Sequence, residues 1–100
     1  MGSKATLRNE RRIRMWTVYA VECRDGSIYT GATTDVRRRL REHNAGQGGA
    51  YTRSRRPVRL IFKEAHPSQS SALKREAQVK GWPHSKKKLL WYHDGHDPTP

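Results

Sequence analysis

"TVYAVECRDGSIYTGAT", Thr17 to Thr33, is the stretch on which the fold turns. From Trp16 to Val21 the residues are largely aromatic or β-branched, and that character returns from Ile28 to Thr33. "RDGS" lies between the two runs, so the pattern predicts a β-hairpin. Loop length sets the register, and register decides which face each tyrosine takes. A two-residue Asp25-Gly26 turn would send Tyr19 and Tyr29 to opposite faces of the sheet. A three-residue Arg24-Asp25-Gly26 loop, with Gly26 in the left-handed bulge position, instead pairs Cys23 with Ser27. Tyr19 then faces Gly31, with Tyr29 diagonally across on the same face. Gly31 has no side chain and would leave room beside Tyr19 for a ligand or another backbone. Strand aromatics that merely pack a core are the alternative reading of both tyrosines.

After the hairpin, "TTDVRRRLREHNAGQGG" predicts a helix capped by Thr34 or Asp35, running to about His43 and leaving through an Asn/Gly-rich exit. At about 100° per residue, Val36 and Leu40 define its buried stripe, His43 lies within the stripe and Arg39 at one edge. Arg37, Arg38 and Arg41 point to solvent. Gly46 to Arg56 reads as a loop carrying "YTRSRR", and "VRLIFKE", Val58 to Glu64, as a third strand. "HPSQSSALKREAQVKGW" offers serine caps and a second helix from about Ser71 to Lys80, stopped by Gly81 and Pro83. Leu73, Ala77, Ala72 and Val79 outline its apolar arc, and Glu76 falls inside the arc. A carboxylate at such a position needs a partner, because burying it unpaired is costly. It either pairs with Lys80 at i,i+4 or has a functional role. "SKKKLLWYHDGHDPTP" predicts a short helix whose Leu89, Leu90 and Trp91 cap the core, with Lys86, Lys87 and Lys88 outside. The expected fold is α+β: a small three-stranded sheet, hairpin plus third strand, flanked by helices. It occupies residues 15–93, between a flexible basic arm at 1–14 and a frayed tail at 94–100. His93, His96 and Asp97 imitate a metal cluster, but a frayed terminus makes a poor preformed site.

One hundred residues with 21 Lys and Arg against 9 Asp and Glu carry a formal charge of +12. Such a charge attracts polyanions, with nucleic acid the default partner and an anionic membrane behind it. The single cysteine, Cys23, excludes an intrachain disulfide and a Cys-based zinc knuckle. No apolar run approaches the ~20 residues of a membrane span. The expected protein is cytoplasmic and nucleoid-associated, a monomer or weak dimer, with no membrane attachment. Gly2 and Thr6 do fit the loose myristoylation pattern.

Taken in order, Tyr19, Tyr29, Arg39, His43 and Glu76 lie on a hairpin and two helices that could converge on one sheet face. At this point the chain resembles the GIY-YIG nuclease family, and most closely its small single-domain bacterial members of the UPF0213 type. "TVY" stands for the first motif and "YTG" for the second, followed by "TTDVRRRLREH" and "LKREAQVKGW". The resemblance spans roughly Met15 to Trp91. It implies a small sheet flanked by helices and metal-dependent phosphodiester cleavage of DNA. The family's motif tyrosines fall on Tyr19 and Tyr29, its helix arginine on Arg39 and its metal-binding glutamate on Glu76. His43 sits where homing endonucleases of the family also carry a histidine. Thr17-Val18 replace the leading glycine, Ala32 stands where repair incision enzymes carry lysine, and no asparagine follows Asn44. Ser85 and His84 are the nearest substitutes for that late asparagine.

The chemistry of these residues fits such an assignment. Phosphodiester hydrolysis needs an activated water, stabilisation of the charge growing on the phosphate, and help for the leaving oxygen. Mg²⁺ or Mn²⁺ bound through Glu76 is the expected cofactor, since Mg²⁺ is content with one or two carboxylates plus phosphate oxygens. Arg39 would clamp the phosphate, Tyr29 would orient water or phosphate, and Tyr19 would be the general base, with His43 assisting it. A phenol of ordinary pKa near 10 must gain roughly three units, about 4 kcal/mol, to serve at neutral pH. Arg39, His43 and the metal are the cations expected to supply that shift. Arg37, Arg38, Arg53, Arg55, Arg56, Lys86, Lys87 and Lys88 form the expected phosphate-facing set, and Tyr51 can stack on an unpaired base. The predicted substrate is DNA, single-stranded or branched before plain duplex, cut with little sequence preference in repair or recombination. The competing reading is a catalytically inert nucleic-acid-binding module of the same fold, and behind it a lipidated peripheral membrane protein.

Overall fold

In the computed structural model, which describes residues 15–89, strands β1 (Trp16–Cys23) and β2 (Ile28–Thr33) are joined by the three-residue loop. Cys23 N donates to Ser27 O at 2.8 Å and Gly26 N to Cys23 O at 2.9 Å. Gly26 has φ 86, the left-handed region that a Cβ disfavours. Asp25 stiffens the tip: its carboxylate accepts from the Ser27 amide at 3.0 Å and from the Ser27 hydroxyl at 2.6 Å. The register pairs Tyr19 with Gly31 and Val21 with Tyr29, so both tyrosines share a face.

The chain continues through α1 (Val36–Asn44), α2 (Ala50–Arg53), β3 (Val58–His66), α3 (Gln69–Lys80) and α4 (His84–Lys88). Asp35, not Thr34, caps α1 by accepting from Arg38 N. The stretch read as a loop from Gly46 to Arg56 contains the four-residue helix α2, entered through Gly49 at φ 114. Four residues carry too little periodicity to register as a helix in the sequence. The sheet is antiparallel, in the order β2-β1-β3. A bulge lies at Ala20/Val21: Ala20 opposes Phe62 and Val21 opposes Leu60. Ile61 and Phe62, adjacent in sequence, therefore enter the same core.

Each sheet face has its own core. Val18, Ala20, Ile28, Ile61 and Phe62 meet Ala72 and Val79 of α3 on one side. Tyr19, Val21, Cys23 and Val58 meet Leu40 of α1 on the other. Burying each large apolar side chain contributes about 1.5–3 kcal/mol before entropy is counted. α1 is also fastened to the sheet by its last residue. The Asn44 side chain donates to Val58 O at 3.0 Å and accepts from Val58 N at 2.8 Å, occupying the outer edge of β3 as a strand would.

Two expected core groups lie elsewhere. Leu73, 47% exposed, and Ala77 face away from the sheet. α3 is turned so that Ala72, Glu76 and Val79 face inward, while Arg75 reaches Glu64 at 3.1 Å and lies over the Trp82 ring. This rotation satisfies two charged groups at the expense of one leucine contact. Leu89 is 48% exposed and does not cap the core. Polar anchors hold α4 instead: His84 Nε2 lies 2.9 Å from Gly26 O, and Lys88 donates to Glu22 at 2.6 Å. The expected arm, the tail, Leu90, Trp91, His93, His96 and Asp97 lie outside the described residues.

Candidate active site

The hairpin delivers Tyr19 to the α1 face, and α1 delivers His43 and Arg39 to Tyr19. One turn of helix separates positions 39 and 43, so both side chains reach the same strand residue. Tyr19 Oη lies 2.8 Å from His43 Nε2, and the opposite ring nitrogen, Nδ1, lies 2.8 Å from Thr52 Oγ1. Tyr19, His43 and Thr52 are all buried. The Arg39 guanidinium also reaches the Tyr19 hydroxyl. It donates further to Glu42 at 2.9 Å and to Gly48 O at 3.2 Å. Arg39 therefore arrives pre-oriented, its planar fork divided between Glu42 and Gly48 O beside the Tyr19 hydroxyl.

Two glycines make this arrangement possible. A Cβ on Gly31 would lie 2.6 Å from Tyr19 Oη. The space expected beside Tyr19 for a ligand is thus filled by the Tyr19 ring itself. A Cβ on Gly48 would collide with His43 Nδ1. Thr52 and Gly48 are the members of the site that sequence reading misses. Both sit in what reads as an irregular loop, and neither residue type advertises its partner.

Tyr29 packs edge-on to His43, with ring centroids 5.3 Å apart, and lies 5.8 Å from the Tyr51 ring. Glu76 approaches from α3 and is the last of the five to join the group. Its side chain is 16% exposed and pairs with Lys80 at 2.7 Å, the expected i,i+4 bridge. The Lys80 ammonium also lies 5.9 Å from the centre of the Tyr29 ring. Glu76 is close enough to the Tyr19 hydroxyl to disfavour its ionisation. The fold therefore gathers Tyr19, Tyr29, Arg39 and His43 on the α1 face of the sheet, and Glu76, from α3 on the other face, comes within electrostatic reach of the Tyr19 hydroxyl.

The electrostatics differ from expectation. Burial pushes the Tyr19 phenol up to about 12; Arg39 opposes this, and Tyr29 and Glu76 add to it. Burial, and then the charge of Arg39, pushes His43 below its ordinary value, so it is neutral at pH 7. His43 is not the cation that was to activate Tyr19. Desolvation outweighs the single guanidinium here.

The basic residues expected to face phosphate divide into two groups. Arg37 and Arg53 are exposed, and Arg38 spans to Glu42 at 3.6 Å. The others have structural duties. Arg55 bonds Asp25 at 3.1 Å and Tyr51 O at 2.8 Å, with its guanidinium 3.9 Å from the centre of the Tyr51 ring. Arg56 bonds Arg53 O and Asn44 O at the end of α1. Lys86 lies over Trp82, Lys87 is half-buried and Lys88 holds Glu22.

Residues 15–89 match the family model described as the GIY-YIG catalytic domain. A UPF0213 protein of Haloquadratum walsbyi is 55% identical over 73 residues, which make up 73% of this chain and 82% of that protein. A UPF0213 protein of Staphylococcus aureus is 50% identical over 73% of this chain and 89% of its own. Among solved structures, the solution NMR structure of a UPF0213 protein from Bacillus halodurans is similar, with a TM-score of 0.52 and 46% identity. That likeness covers 81% of this chain and 86% of the other. The solution NMR structure of a protein from E. faecalis gives a TM-score of 0.53 at 37% identity, over 86% and 94% of the two chains.

Proposed function

This chain belongs to the GIY-YIG family, a family of endonucleases, and from that premise we propose that it hydrolyses DNA phosphodiester bonds with the help of a divalent cation. The observation that carries the proposal is the buried Tyr19 hydroxyl, held by His43 and reached by Arg39, with Glu76 beside it. A buried tyrosine of purely structural purpose has no need of a cation, a histidine and a carboxylate around one oxygen. Once its phenol proton has been lost to solvent, the Tyr19 phenolate accepts the proton of the attacking water. Arg39 and His43 hold the oxygen that receives it, and Arg39 has remaining N–H groups for a phosphate. Tyr29, its ring fixed against His43, orients the water or phosphate.

The residues present fit a hard cation. Glu76 offers one largely buried carboxylate whose partner among the described residues, Lys80, is half-exposed and can turn out to solvent. Mg²⁺ or Mn²⁺ at Glu76 would offset charge growing on the phosphate and lower the pKa of nearby hydroxyls and water. From about 12, ionising Tyr19 at pH 7 costs roughly five units, about 7 kcal/mol. The cleavage rate should therefore rise with pH through the neutral range.

The proposed substrate is single-stranded, flapped or branched DNA of little sequence preference, in repair or recombination. Tyr51, 41% exposed at the end of the ring stack from His43 through Tyr29, supports contact with an unpaired base. End-labelled substrates of each kind, incubated with Mg²⁺ or Mn²⁺ at low salt, test the proposal. Tyr19→Phe and Glu76→Gln should each lower the rate by at least roughly a hundredfold. The Lys80 pair at Glu76 and the high pKa of Tyr19 favour a second reading, an inert nucleic-acid-binding module. Salt-dependent binding with no cleavage of any substrate would decide for it.

A further inference from the structure

We propose that Thr52 is a positioning residue: its hydroxyl donates to His43 Nδ1, which places the imidazole proton on Nε2 and makes His43 a hydrogen-bond donor to Tyr19 Oη. The argument is an accounting of protons along a buried row of three side chains. Thr52 is 0% exposed, and among the described residues its hydroxyl has one partner, His43 Nδ1 at 2.8 Å. A threonine hydroxyl carries one proton. Were Nδ1 protonated, Thr52 Oγ1 would accept from it and strand its own proton in the core. A stranded buried donor costs about 1–3 kcal/mol. Donation from Thr52 to the Nδ1 lone pair removes that cost.

A neutral imidazole then has its single N–H at Nε2, aimed at Tyr19 Oη 2.8 Å away. The Arg39 guanidinium reaches toward the same oxygen. With Nε2–H donating to this oxygen, the Tyr19 proton must point away from His43. Glu76 is near enough to the Tyr19 hydroxyl to act on it electrostatically, whereas among the described residues the Thr52 hydroxyl has no partner but His43 Nδ1. Gly48 completes the arrangement, because any larger residue would displace the Nδ1 edge of the ring. The tautomer follows from Thr52 whatever the protein does. Only its consequence, a tyrosine oxygen offered two donors when it loses its proton, rests on the nuclease reading.

Two-bond ¹H–¹⁵N correlation spectra of the imidazole in the full chain test the assignment directly. Wild type should show His43 protonated at Nε2 alone, and an Nδ1–H signature would overturn the proposal. Thr52→Val keeps the shape and removes the hydroxyl. In this variant the Nδ1 resonance should leave its wild-type position and the Nε2–H tautomer should no longer be exclusive, and Thr52→Ser should restore both. An Nδ1 resonance unmoved by Thr52→Val would also overturn the proposal. If Thr52→Val does not fold, the wild-type tautomer still decides. Where cleavage is measurable, Thr52→Val should lower kcat roughly ten- to a hundredfold with KM little changed, as loss of a histidine-orienting partner does. Wild type with the Nε2–H tautomer and no cleavage would sink the nuclease reading and leave this assignment standing.

Discussion

The two faces of the sheet are held by different physics. Under α3, Val18, Ala20, Ile28, Ile61, Phe62, Ala72 and Val79 interlock without a polar partner. Among the described residues, the buried Thr30 hydroxyl on β2 has none either. Under α1 and α2, the buried side chains Tyr19, His43 and Thr52 form a hydrogen-bonded row through the core. The first arrangement is tolerant in direction and sensitive to volume; the second depends on atoms being in register. One face supplies stability so that the other can hold a demanding geometry.

Deleting volume from the apolar face should have the largest effect on stability. Phe62→Ala should lose about 3–5 kcal/mol by chemical denaturation, with the Tyr19–His43 contact intact in the folded fraction. Equal losses from Tyr19→Phe would break the distinction, because that change removes one hydroxyl and little volume. Adding volume to the polar face comes next. Gly48→Ala should cost about 1–3 kcal/mol as His43 is forced aside, and should perturb the His43 ring resonances, which Phe62→Ala should spare.

The two faces should also respond differently to pH. Tyr19 has a folded pKa of about 12 against an ordinary 10.0, so the unfolded chain gives up its proton first. The stabilisation is complete below pH 10 and is lost as pH rises toward 12, up to about 2–3 kcal/mol. His43 has a depressed pKa, so the unfolded chain binds the proton first and stability falls as pH drops below 6.5. Thermal melts of wild type and Tyr19→Phe across the alkaline range check the first effect, because the variant should lack it. The smallest expected change is a gain: Thr30→Val should stabilise by about 1 kcal/mol, by removing a buried hydroxyl with no partner among the described residues. A loss there would mean that the hydroxyl is satisfied by water.

Much of this was legible in the residues. The hairpin was legible with two possible registers, and the structure takes the one with Gly26 at the left-handed bulge position, which puts both tyrosines on one face. The i,i+4 spacing of Arg39 and His43, and the inward position of Glu76, followed from helical geometry alone. The bulge was not legible, because "LIF" has no alternation and its pairing depends on β1. Nor was the rotation of α3, where ion pairing of Arg75 with Glu64 overrode the apolar arc through Leu73. The expectation that His43 would act on Tyr19 as a cation failed because a sequence displays charges and not burial. His43 reads as a cation until it is seen to have no solvent around it.

The shortest helix has a consequence for how the protein opens. Four residues cannot sustain a helix in water, so α2 persists through Thr52 on His43, Arg55 on Tyr51 O and the Arg55 O contact to Arg24 N. Release of Thr52 and melting of α2 are then one event. The amides of Arg53 and Arg55, which bond Gly49 O and Thr52 O, should exchange with deuterium at a common rate. That rate would be the lifetime of the assembled site, set not by the sheet that carries it but by the weakest element that closes over it.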